Sequence, residues 1–215
     1  MKKLHLGCGF HFIDGWINTD ISPTLTDDPL IDYLDVTETF PFDSEEIDYI
    51  FTEHLIEHID YVKGLDMLIE CYRVLKPNGK IRIATPDLSF LIDLYGDNKT
   101  DLQKKYMEEF KTHSATLFDT YKSISTNHFH KLSNGKKPKF PTDTFIINNF
   151  VRAWGHEFIY DKKTLTESME WVGFKDIKIC KLCVSDDENL NNLENKDRMS
   201  EGMLEMESIV LEGTK

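Results

Sequence analysis

Short apolar runs, recurring at a period that keeps changing, restrict this chain more than any other feature. Lys3-Leu4-His5-Leu6 reads as a strand that runs straight into Gly7-Cys8-Gly9. Residues 16–21, 31–36, 47–51 and 80–85 read as four more strands. Between the fourth and fifth, Val62, Leu65, Leu68, Ile69 and Tyr72 recur at helical spacing. Lys76-Pro77-Asn78-Gly79 closes that helix, because proline cannot continue it and Asn-Gly turns the chain. Strands that alternate with a helix in this way predict an α/β fold built on a parallel sheet with crossover helices.

The rhythm breaks after residue 87. Leu102, Tyr106, Phe110, His113 and Leu117 form a helical stripe, and residues 133–141 form a basic loop. Residues 88–155 therefore read as an insertion that covers the sheet edge, within a single domain spanning 1–215. Order returns at Tyr160. Asp161 is the expected N-cap, Tyr160 with Leu165 the hydrophobic staple, Leu165, Met169 and Val172 the buried stripe, and Gly173 the helix stop. Residues 176–184 alternate like a strand, 186–200 are a polar Asn-rich loop, and 208–212 read as the last strand.

A chain of 215 residues with 40% apolar and 29% charged residues has the composition of a soluble globular protein. Its formal net charge of −13 repels phosphate backbones and disfavours a nucleic-acid groove. No run approaches the roughly 20 apolar residues needed to span a bilayer. Lys2 and Lys3 precede no apolar segment, so no secretory signal is expected. Cys8, Cys71, Cys180 and Cys183 are too scattered for a disulfide framework, which points to a reducing cytoplasm.

The informative segment is Leu4-His5-Leu6-Gly7-Cys8-Gly9. A strand that ends in Gly-x-Gly lets backbone approach a ligand. A dinucleotide site wants a third glycine three residues on, and here that position is Phe12. Asp20, at the end of the second strand, can accept from two ribose hydroxyls. Asp35, at the end of the third, can accept from an adenine amino group while the Val36 amide faces a ring nitrogen.

These residues carry a resemblance. Leu4 to Gly9 and Gly15-Trp16-Ile17-Asn18-Thr19-Asp20 come first, then Phe40-Pro41-Phe42 with Ile47-Asp48-Tyr49-Ile50. Glu53-His54-Leu55-Ile56-Glu57-His58, Arg73 to Lys80 and Ala84-Thr85-Pro86-Asp87 follow, with Phe158-Ile159-Tyr160-Asp161 and Gly173-Phe174 near the end. In this order they resemble the class I S-adenosylmethionine-dependent methyltransferases of the type 11 group, over about 1–95 and 155–215. The resemblance implies a Rossmann-like seven-stranded methyltransferase sheet in order 3-2-1-4-5-7-6, its last strand antiparallel. It implies S-adenosyl-L-methionine as cofactor, with Gly7, Cys8 and Gly9 around the methionine part, Asp20 on ribose, and Asp35 and Val36 on adenine. Glu53 and His54 would line the methionine and methyl side. One departure stands out: Gly9 and Asp20 are eleven residues apart, so the usual long helix between the first two strands is shrunk. That short spacing resembles a subgroup associated with surface-glycan and sugar metabolism, an analogy at the level of the fold.

Transfer of a methyl group to a hydroxyl needs alignment and a base with a pKa near working pH, which favours histidine. His54, His58 and His156 are the catalytic candidates, the first two four residues apart and so able to share a helical face. Asp87 and the aromatics Phe140, Phe145, Phe150 and Trp154 can also face substrate. Metal binding is not expected: His128-x-His130 and Cys180-x-x-Cys183 each lack a second ligand pair, and the two cysteines would point to opposite faces of a strand. The sequence favours a methyltransferase acting on oxygen of a small molecule such as a sugar or nucleotide sugar. A protein or peptide methyltransferase, a non-catalytic binding protein and a nicotinamide oxidoreductase are the alternatives.

Overall fold

A computed structural model describes residues 1–22, 28, 30–113, 143–152 and 154–215. They separate into two compact units. Met1–Asp87 with Phe158–Lys215 forms one, and Leu88–Glu157 the other. His128, His130, Leu117, Phe140 and the expected basic loop at 133–141 lie outside the described residues, as do the side chains of Phe110, His113 and Phe145.

The first unit carries β1 (Lys3–Leu6), β2 (Ile17–Asp20), β3 (Ile31–Tyr33) and β4 (Ile47–Glu53), then a 3-10 turn (Ile56–His58). Helix α1 (Tyr61–Val74) and β5 (Leu75–Pro86) follow. The second unit holds α2 (Leu88–Tyr95), α3 (Asp101–His113) and α4 (Asp143–Arg152). The chain returns to the first unit with α5 (Lys162–Val172), β6 (Lys175–Cys180), two 3-10 turns (Glu188–Leu190 and Lys196–Arg198), α6 (Met203–Glu207) and β7 (Ser208–Thr214).

The strands form one seven-stranded sheet in the order β3-β2-β1-β4-β5-β7-β6. β1 to β5 pair in parallel, and β7 runs antiparallel to both its neighbours. This is the order expected above. Leu4, Leu6, Ile50, Ile81 and Ile83 are fully buried under Met67, Leu68, Cys71 and Val74 of α1 and Leu165 and Met169 of α5. The two helices are fixed by their ends. The Asp60 carboxylate accepts from the Val62 and Lys63 amides at 2.8 and 3.0 Å. Asp161 accepts from the Thr164 amide at 2.7 Å, and Gly173, at φ 119°, donates to the carbonyls of Met169 and Glu170. Lys76-Pro77-Asn78-Gly79 does turn the chain, as a bulge inside β5: the pairing steps from Ile47↔Leu75 to Tyr49↔Lys80. A Cβ on Gly79 would meet the Lys76 carbonyl oxygen at 2.8 Å, which only glycine avoids.

Several expectations need correction. β2 and β3 are shorter than read, so Asp35 lies two residues past its strand. Val62 and Ile69 face solvent. The strand expected at 176–184 stops at Cys180, and Cys183 sits in a turn at φ 58° with its side chain buried. The two cysteines therefore do not alternate on one strand. The loop expected at 186–200 is anchored, with Leu190, Leu193 and Glu194 buried. All four cysteines are free thiols.

In the second unit α4 packs on α2 and α3. Phe90 meets the rings of Tyr106 and Phe150 edge-on, at 5.0 and 6.5 Å, and Lys99 pairs with Asp143 at 2.6 Å. Among the described residues no helix is long and apolar enough to cross a membrane.

Candidate functional site

The site is assembled at the carboxyl ends of the parallel strands of the first unit, where an open α/β sheet leaves a crevice. β1 ends at Gly7 and Gly9, both left-handed, at φ 64° and 53°. A Cβ built on Gly9 would find no atom within 4 Å, so a ligand can approach the backbone there. Cys8 between them is buried; burial first, and then the Asp20 charge, push its thiol up to about 11, so it stays protonated and unreactive.

Asp20, the last residue of β2, braces this turn. One carboxylate oxygen accepts from the Gly9 amide at 3.0 Å, the other from the Ser22 amide at 2.8 Å. The backbone from Gly7 to Trp16 is a series of turns with no helix. The glycine turn therefore opens no helix N-terminus, the feature that holds a pyrophosphate in dinucleotide folds. Asp35 accepts from the amide and hydroxyl of Thr37 at 2.9 and 2.7 Å, and Val36 beside it is buried.

At the end of β4, Glu53 is buried to 7% exposure, and its two oxygens accept from the Asn195 amide at 3.2 and 3.1 Å. His54 follows in the left-handed region at φ 50° and donates its amide to the Ala84 carbonyl at 2.9 Å. That backbone leaves His54 outside the 3-10 turn that carries His58, so the two histidines do not share a helical face. A residue that sequence reasoning missed links them. The Glu57 side chain is fully buried; one oxygen accepts from the Thr85 hydroxyl at 3.0 Å. The other lies 3.2 Å from His54 Nδ1 and 3.8 Å from His58 Nε2. Burial pushes the Glu57 carboxyl up, but pairing with His54 and the charges of both imidazoles outweigh it and hold the group below its ordinary value. The far nitrogen of His54 lies 3.3 Å from Ser208 Oγ and 4.0 Å from a Glu207 oxygen. The His54 side chain is 6% exposed, that of His58 31%, so His58 is the more accessible. The clue in the sequence was the spacing itself, since Glu57 stands between the two histidines.

His156 lies in the second unit, with Nδ1 2.6 Å from the Phe150 carbonyl oxygen and its ring against those of Phe150 and Trp154. The Asp87 amide donates to the Glu207 carbonyl at 2.8 Å.

The donor set suits a ligand that carries positive charge. Asp20, Asp35 and Glu53 are all acidic, they stand at or just past the ends of three strands, and the glycine turn between them is open on one side. Asp20 and Asp35 can accept from the hydroxyls and amino group of a nucleoside and Glu53 suits a cationic end, whereas a pyrophosphate is repelled by such a set. These residues therefore fit S-adenosylmethionine.

Comparisons with known proteins agree. Residues 4–83 match the family model of a methyltransferase domain. Three solved structures share the fold along the whole chain. An S-adenosylmethionine-dependent methyltransferase from Archaeoglobus fulgidus is 16% identical, with TM-score 0.56, covering 100% of this chain and 86% of its own. One from Mesorhizobium loti is 12% identical, with TM-score 0.55 and coverages of 100% and 90%. One from Thermotoga maritima is 15% identical, with TM-score 0.52 and coverages of 100% and 82%. No functionally curated protein matches the chain. The methyltransferase domain matched over residues 4–83 supports a methyltransferase enzyme with S-adenosylmethionine as its cofactor, and the solved structures share its Rossmann-like fold.

Proposed function

We propose that this chain methylates an oxygen of a small molecule, a sugar or related metabolite such as a nucleotide sugar. The observation that carries the reading is the braced glycine turn, with Gly9 open on one side and tied to Asp20 at 3.0 Å. In this reading Gly7, Cys8 and Gly9 pass along the methionine part, Asp20 holds the ribose hydroxyls, and Asp35 with Val36 meets adenine. Glu53 and His54 border the methionine end. When bound, the cofactor supplies an electrophilic methyl group on sulfur.

The residues of the chain then align the acceptor and take its proton. Among His54, His58 and His156, His58 is the leading base on this reading. Its ring is partly exposed, and its Nε2 lies 3.8 Å from the buried Glu57 carboxylate, which orients it. His54, nearly buried between Glu57 and Ser208, orients that carboxylate. His156 is the candidate in the second unit, and the insertion at about 88–155 is proposed as the part that selects the substrate.

Calorimetric titration with S-adenosylmethionine and S-adenosylhomocysteine tests the cofactor site, followed by an acceptor screen that starts with nucleotide sugars. Micromolar binding of both is expected. Asp20→Ala should weaken binding by about 1–3 kcal/mol, since charge-assisted hydrogen bonds are lost. An unchanged dissociation constant would place the ribose elsewhere.

A further inference from the structure

Residues 193–195 lie between β6 and β7, far in sequence from the strand ends described above, yet each of the three engages a different part of the first unit. The Leu193 carbonyl oxygen lies 2.9 Å from His11 Nε2, so it holds the far end of the glycine turn. Glu194, 4% exposed, pairs with Arg82 Nε at 2.6 Å and accepts from the Cys183 amide at 2.7 Å. Arg82 is itself fully buried, and it also donates to Glu212, to the Val184 carbonyl at 3.2 Å and to the Lys181 carbonyl at 3.1 Å. Asn195 then gives its amide to both oxygens of Glu53. Leu190 and Leu193 press the same segment onto Trp16 and Phe51.

We infer that residues 193–195 are a clamp that fixes the separation between the glycine turn and the Glu53 carboxylate, and that the Asn195 amide is a positioning group for the methionine end of the cofactor. The inference rests on the proposed cofactor site and goes beyond it. Glu194 bound to Arg82 is the fixed point. From it the chain reaches one residue back to the β1 turn and one residue forward to the end of β4. In the first crossover a chain of turns replaces a helix, so no helix axis is there to hold Gly7–His11 in place. The clamp supplies that constraint from the other end of the sequence. A carboxylate held by a fixed N–H keeps its orientation when a cation approaches, and the cation meets a preorganised partner.

Asn195→Pro removes the amide hydrogen while matching the native φ of −80°, which proline adopts. The dissociation constant for S-adenosylhomocysteine should rise about tenfold, the scale of one lost hydrogen bond to a charged group. Asn195→Ala keeps the amide and should bind several-fold more tightly than the proline variant. Equal affinity of Asn195→Pro and the parent chain would overturn the clamp. Failure of the parent chain to bind either cofactor would instead overturn the cofactor site on which the clamp depends. Hydrogen exchange on the unmodified protein gives a second readout that needs no variant to fold. Adding S-adenosylhomocysteine should slow exchange in residues 190–197 together with residues 7–12. Slowing confined to residues 7–12 would also overturn it.

Discussion

The two faces of the central sheet are built on opposite principles, and neighbouring residues of the same strands show it. Across one face the register aligns Ile17, Leu4, Ile50, Ile81 and Gly213, an apolar row covered by α1 and α5. One residue further along, on the other face, the same strands align Asn18, His5, Phe51, Arg82 and Glu212. That row is mostly polar, its members are all at most 8% exposed, and 3-10 turns and loops cover it rather than a long helix. The apolar face needs only shape and volume. The polar face must satisfy each group it buries, and it does so with specific partners: Asn18 Oδ1 meets His5 Nδ1 at 3.0 Å, and Arg82 meets Glu194 and Glu212. The difference bears on the proposed cofactor site because Glu53 and the glycine turn are held by the segment that covers the polar face.

The largest effect expected follows from that contrast. Arg82→Met leaves the Glu194 and Glu212 carboxylates buried without their cation, which should cost about 3–5 kcal/mol of stability. Leu165→Ala on the helical side should cost about 2–5 kcal/mol through its cavity. Urea denaturation measures both, and the means of rescue separates them. Adding Glu194→Gln and Glu212→Gln to Arg82→Met should recover part of the loss, while nothing polar restores Leu165→Ala. A cost below about 1 kcal/mol for Arg82→Met would mean that the polar row contributes shape alone.

The helical face was legible in the sequence and the polar face was not. The Leu165–Met169 period of α5, Asp161 and Gly173 are local signals that sit where the spacing puts them, whereas of the stripe expected on α1 only Leu68 is buried. The strand order came from the resemblance, and the short β1–β2 spacing foretold the missing helix. The partnership of Arg82 with Glu194 spans 112 residues, and no local pattern announces it. A stretch rich in Asn, Asp and Glu reads as solvated loop, because charge is ordinarily exposed. Here a buried arginine reverses that rule at Glu194. At the proposed site, the meeting of Gly9 with Asp20 was readable because a glycine pair before a carboxylate is a local motif. Glu57 was quoted only as part of a run, since a buried glutamate between two histidines shows its role only once the turn at Ile56–His58 folds it inward. The Asn195 contact was beyond reading, because a backbone amide leaves no trace in residue identity.

The two faces should also differ in their response to pH. Burial above all lowers the pKa of His5 to about 4, against 6.5 when unfolded, with the Asn18 hydrogen bond only partly opposing it. As pH falls below 6.5 the unfolded chain takes up the proton first. Stability should therefore drop between pH 6.5 and 4 and level off below, by about 3 kcal/mol in all for this group. His5→Gln should flatten that part of the curve, measured as urea unfolding free energy at pH 7 and pH 4.5. A slope that the substitution leaves unchanged would assign it to other groups and remove the main titrating element from the polar row.

The smallest effect belongs to the helical face and completes the contrast. Asp161 accepts from the Thr164 amide, and that hydrogen bond, in first place, holds its carboxyl below the usual aspartate value. A lowered carboxylate pKa contributes stability that is present above about pH 3.8 and is lost as pH falls through the folded value. Asp161→Ala should thus cost about 1 kcal/mol at pH 7, the ordinary size of an N-cap, and progressively less below pH 3.8. The His5 window closes near pH 4, where the Asp161 window opens, so a single acid titration of the two variants separates the faces. Should the cost of Asp161→Ala already fade between pH 6.5 and 4, α5 would be coupled to the titration of the opposite face, and the two layers would not be independent.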